Sequence, residues 1–227
     1  YQVKRSGKNN VMIFAAAEDS SQALSRPRKN MQEVYSEYAS TIYALTAAID
    51  AKDHYTFKHS KNVAYYATKL AAAVGLDANS VEIINEAALL HDVGKIGVPE
   101  SILNKQGPLT AAEYEEMKKH VDHSVGIIRY LPSLDFVIPA VIGHHERYDG
   151  TGYPRRVAGE DIPLSARILC VADSFDAMTS DRVYKKAYPV DYALSMLEKQ
   201  AGKQFDPRLA RVFVEEFRRG NIVLQNM

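Results

Sequence analysis

The chain reads as all-α: a single helical domain of about seven or more helices, preceded by a linker helix. Three observations predict this. Apolar residues recur at helical spacing through most of the chain, Gly and Pro fall between those stretches, and strand-like alternation is nearly absent.

The elements follow in order. Residues 1–14 are basic, then strand-like at 11–14, and read as the remnant of an upstream domain. Residues 15–30 have no clear period and carry Pro27, which marks a linker. The domain proper is expected over 31–227. Across 31–53, Val34, Tyr38, Ile42, Leu45 and Ile49 form one apolar stripe, suited to core packing or to the seam of a homodimer. A helix over 57–74 ends at Gly75, a favoured cap residue. The next, over 81–91, has Asn79 or Ser80 as its N-cap. Gly94, Gly97 and Pro99 then break the pattern. Thr110 and Glu113 form a capping box for a helix over 111–119. A helix over 120–130 runs to Pro132, and one over 134–146 carries His144 and His145. The Gly- and Pro-rich residues 147–163 are a loop. Helices over 164–179, 191–200 and 207–218 close the domain.

Composition narrows the function. Formal net charge is zero over 227 residues, which argues against a broad basic surface for duplex nucleic acid and leaves room for a local basic pocket. The single cysteine, Cys170, cannot form an internal disulfide, so a reducing compartment fits. Cys170 itself reads as a small buried hydrophobe. No run approaches the roughly 18 apolar residues of a spanning helix. The basic start leads into too short an apolar run for a signal peptide. A chain that begins at Tyr1 is expected to be part of something longer.

The chemistry-bearing residues are His91-Asp92 and His144-His145, with His59, His120 and Asp173 around them. Imidazole and carboxylate ligands suit Fe, Mn, Ni or Zn. Asp173 lies within a strongly apolar helix, where a buried carboxylate is costly unless paired or bound to a cation. Asp92 has two oxygens and can bridge two cations. Water held between two such cations ionises near neutral pH and becomes a nucleophile suited to a phosphodiester. Lys95, four residues after His91, shares its face if the helix persists. Arg182 and Lys185 add phosphate-binding charge. The loop Asp149-Gly150-Thr151-Gly152-Tyr153-Pro154 permits close backbone approach, and Tyr153 offers a stacking face. Asp176, one turn after Asp173, is a secondary catalytic candidate; His54 and His123 are expected not to be ligands.

The stretches 91–99 (HDVGKIGVP), 144–145 (HH), 149–154 (DGTGYP) and 172–185 (ADSFDAMTSDRVYK) closely resemble the HD-GYP domain, a subgroup of the HD phosphohydrolase superfamily. The match spans about residues 53–219. It implies a bacterial, cytoplasmic enzyme that hydrolyses cyclic di-GMP to pGpG, sometimes onward to GMP; some members prefer cyclic GMP-AMP. It also implies two divalent transition metals, Fe or Mn foremost, with Ni or Zn as alternatives. One would be held by His59, His91, Asp92 and Asp173, the other by Asp92, His120, His144 and His145. Lys95, Arg182 and Lys185 would grip phosphate, with Gly152, Tyr153 and Pro154 beside the substrate. Some members carry a glutamate four residues before the first ligand histidine that supports a third metal; here that position is Tyr55, so two metals are expected. The complete ligand set argues against a receptor that binds without turnover, and the 149–154 loop against a mononucleotide phosphohydrolase. Residues 1–14 resemble the end of a GGDEF domain, which implies such a domain upstream.

Overall fold

The computed structural model describes residues 40–49, 52, 56–131, 134–181 and 186–225. The expectations for 1–39, His54, Tyr55, Arg182 and Lys185 lie outside these residues. The regular elements among the described residues are all helical, with no strand beyond an isolated Ala201–Phe205 bridge. The helices are α1 (40–49), α2 (Thr56–Ala73), α3 (Ala78–Leu90), α4 (Glu100–Leu103), α5 (Ala111–Lys118) and α6 (His120–Ile128). They continue with α7 (Ile138–Gly143), α8 (Leu164–Thr179), α9 (Val190–Lys199) and α10 (Pro207–Arg218).

Local chemistry sets most boundaries. On α2, Gly75 takes φ +86°, its N–H donates to Ala72 O, and the Leu76 N–H donates to Ala71 O. These are the paired bonds of a Schellman motif. Helix α3 starts three residues before the expected position, because Asp77 is the N-cap in place of Asn79 or Ser80. Its Oδ1 accepts from Ser80 N at 2.8 Å. Thr110 and Glu113 form the expected capping box. The helix expected over 134–146 is instead a 3-10 turn, Asp135–Val137, followed by the short α7, with Pro139 in its first turn. His144 and His145 therefore lie just past a helix end. Helix α4 was not anticipated; it follows the extended Pro99.

Helices α2, α3, α7 and α8 form the centre: α2 packs on α3 and α8, and α7 on α8 and α6. Helices α9 and α10 cover the far side, where Tyr66, Phe175 and Phe213 meet ring to ring at 4.8–6.1 Å. Burying each such side chain stabilises the fold by roughly 1.5–3 kcal/mol. On α1, Ile42 and Ile49 are buried in the same core, and Thr46 Oγ1 reaches Leu89 O on α3 at 3.4 Å. The described part of the stripe, Ile42, Leu45 and Ile49, thus packs on the core. No helix among the described residues is long and apolar enough to cross a membrane.

Candidate metal centre

The core helices deliver the ligand candidates to one place. His59 comes from the first turn of α2 and Asp173 from the middle of α8. His91 caps α3, Asp92 follows it, His120 opens α6, and His144 caps α7. The five imidazoles pack ring against ring, with centroids 4.0–5.6 Å apart along the chain His59, His91, His144, His120 and His145.

Two groups of potential ligand atoms result, each within 4.8 Å of one another: His59, His91 and Asp173, and Asp92, His120, His144 and His145. Asp92 lies between them. Its Oδ2 is 3.2 Å from His91 Nε2 and 3.8 Å from His59 Nε2, while its Oδ1 is 3.4 Å from His120 Nε2.

Helix geometry also fixes the tautomers. Nδ1 of His91, His120 and His144 each contacts the carbonyl three residues earlier, at 2.6–2.7 Å. A carbonyl only accepts, so each Nδ1 carries the proton and each Nε2 presents a lone pair. Those three Nε2 atoms are buried and have no hydrogen-bond partner. Orphaned buried acceptors are costly, and a divalent cation is the group that satisfies several at once. The residues fit a metal pair.

Electrostatics agree. Burial, then the nearby imidazole His120, drives His145 down to about 3. Burial also lowers His144 and His120. All three are neutral at pH 7, the ligating form. His59 differs: burial would lower it too, but Asp173 and Asp176 outweigh it and hold the imidazole at about 9, so His59 must give up its Nε2 proton when a cation binds. Burial alone would raise Asp92 and Asp173; His91 with Lys95, and His59, respectively overcome it and keep both carboxylates ionised.

The other expected residues are placed as follows. Lys95 does not continue the His91 helix, which ends at Leu90. A 3-10 turn, Val93–Gly97, carries it instead and sets Nζ 2.7 Å from Asp92 Oδ2. Asp176 turns its Oδ2 to His59 Nδ1 at 2.7 Å, and its Oδ1 accepts from Asn62 Nδ2 at 2.8 Å. It is thereby suited to orient His59. Gly152 is buried, and a Cβ there would run into the backbone of His145, Glu146 and Arg147, so only glycine fits. Tyr153 stacks on His145 at 4.8 Å, and Pro154 is exposed beyond it. His123 belongs to neither group. Burial pushes the Cys170 thiol up to about 12, as suits an inert hydrophobe.

Three supporting residues were missed. Asn62 fixes Asp176. Ser124 Oγ accepts from Gly94 N at 2.8 Å and donates to His91 O at 2.9 Å, tying α6 to the His91-Asp92 turn. Glu146 Oε1 accepts from the backbone N–H of Arg155 and Arg156, pinning the 149–154 loop. Only Glu146 carried a sequence signal, a carboxylate directly after the histidine pair.

A family model described as an HD domain matches residues 44–209, which include every ligand candidate. The chain belongs to the HD domain family. HD domains of this kind are metal-dependent phosphohydrolases. This HD domain is 42% identical over 181 residues to the cyclic di-GMP phosphodiesterase response regulator RpfG of Xanthomonas campestris, covering 79% of this chain and 48% of that protein. It is 39% identical over 180 residues to 3′3′-cGAMP-specific phosphodiesterase 2 of Vibrio cholerae, covering 78% of this chain and 34% of that one. The chain thus spans between a third and a half of these relatives' length. Its fold resembles the crystal structure of a cyclic GMP-AMP specific phosphodiesterase from V. cholerae, with TM-score 0.62 at 19% identity over 80% of this chain and 48% of that one.

Proposed function

We propose that this HD domain is a phosphodiesterase that hydrolyses cyclic di-GMP to pGpG with two divalent metals, Fe or Mn. The observation that carries the reading is the pair of ligand groups flanking Asp92, with three buried imidazole Nε2 atoms lacking partners. His59, His91, Asp92 and Asp173 would hold one metal, and Asp92, His120, His144 and His145 the other. Bound there, the metals supply an ionised water and neutralise phosphate charge.

The chain's own groups do the rest. Asp176 and the i−3 carbonyls hold the imidazoles in their ligating tautomers. Lys95 places its ammonium at Asp92, where it would face a phosphate held at the cluster. Tyr153, kept neutral because burial raises its hydroxyl, walls the site against His145. Arg182 and Lys185 are further candidates for phosphate contact. Water adds to phosphorus and the P–O3′ bond breaks, leaving a 5′-phosphate and a 3′-hydroxyl. With Tyr55 at the position where some members have a glutamate, two metals are expected, and product analysis decides between a stop at pGpG and onward cleavage to GMP.

The relative named for 3′3′-cGAMP favours cyclic GMP-AMP as a second substrate. The test is anaerobic turnover of each cyclic dinucleotide by the Mn(II)- or Fe(II)-loaded chain, with products separated by chromatography. Linear dinucleotide is expected, and none from Asp92→Ala. Activity retained in that variant contradicts the reading, and binding without product points to a receptor.

A further inference from the structure

One exposed aromatic borders the centre from outside the ligand groups. Helix α5 buries none of its residues, and its Tyr114 is 48% exposed. The Tyr114 ring meets Tyr153 at 6.3 Å and 81°, and Tyr153 stacks in turn on the ligand candidate His145. Lys118, one turn along α5, sets Nζ 5.5 Å from the Tyr114 centroid and 5.6 Å from that of Tyr153. Its ammonium also pairs with Glu115 at 2.6 Å. Tyr114 and Lys118 are therefore set beside Tyr153 at the rim, on a helix started by a capping box and held at Glu113 by Lys105. Core packing does not explain an aromatic so exposed.

We propose that Tyr114 is a base-stacking platform, positioned by Tyr153 and Lys118, for a purine of the cyclic dinucleotide; this rests on the substrate reading above. Each phosphodiester of a cyclic dinucleotide joins two nucleosides. A phosphate at the cluster therefore brings a base to the rim, two ring contacts from His145. Every base has a π-face, so stacking there adds affinity without choosing between guanine and adenine. Tyr114 thus serves cyclic di-GMP and cyclic GMP-AMP alike.

The test compares the parent, Tyr114→Ala and Tyr114→Phe on cyclic di-GMP and on bis(p-nitrophenyl) phosphate, a small diester with no base to place. Calorimetric Kd values for cyclic di-GMP provide a readout apart from turnover. For Tyr114→Ala, KM and Kd for cyclic di-GMP are expected to rise about tenfold or more. The preference for cyclic di-GMP over the small diester falls by the same factor, and Tyr114→Phe restores it. Equal loss on both substrates makes Tyr114 a prop for the 149–154 loop and overturns the proposal, as does an unchanged Kd. A parent that cleaves the small diester but no cyclic dinucleotide overturns the substrate reading itself, and this proposal with it.

Discussion

At the scale of single residues, the chain places several polar groups where burial is costly, and most of them face the ligand cluster. Glu86 is one that does not. It is fully buried on α3, and neither carboxylate oxygen has a hydrogen-bond partner. Burial, then the charge of Glu82, pushes it from an ordinary 4.5 up to about 7. The folded pKa is raised, so its stabilising contribution is whole below pH 4.5 and is lost as pH rises to about 7. The loss is about 3 kcal/mol at most. Glu86→Gln should therefore flatten the fall in stability between about pH 4.5 and 7, read by urea unfolding; parallel pH profiles for variant and parent would contradict this. Such groups also mark the limit of sequence reading. His91-Asp92, His144-His145 and Asp173 were legible because their residue types and setting demand a partner. Asp176 was legible as a neighbour but not in its role, because only the fold shows that it faces His59 and Asn62.

At the scale of elements, the centre depends on how closely α6 lies against the turn after α3. A Cβ on Gly94 would run into the backbone of His120 and Ser124 and come within 2.8 Å of His123 Cβ. Gly94→Ala should therefore push α6, and His120 with it, away from Asp92. The expected cost is about 1–3 kcal/mol, with a fall in melting temperature of about 2–4 °C per kcal/mol. Loss of cyclic dinucleotide turnover should accompany it. Unchanged melting and activity would show that α6 moves freely. Helices with strong local signals were legible to within a residue, α8 and α10 at both ends. Asp77 outcompeted Asn79 and Ser80 because its carboxylate reaches the Ser80 N–H from an extended backbone. The stretch 134–146 misled because its apolar period continues through the 3-10 turn and past the end of α7.

For the whole molecule, all-α architecture followed from helical periodicity alone, while the convergence of ligands from α2, α3, α6, α7 and α8 did not. Residues as far apart as His59 and Asp173 meet only through packing, and no spacing rule predicts that; the HD-GYP resemblance supplied the grouping in advance. The central claim is that the chain builds two metal sites sharing Asp92. The most direct test is metal content per chain after anaerobic loading and desalting, for the parent and for His59→Ala, His145→Ala and Asp92→Ala. The account predicts two metals in the parent, one in each histidine variant, and weakened retention of both in Asp92→Ala. A single metal in the parent, or loss of both from His145→Ala alone, would contradict it.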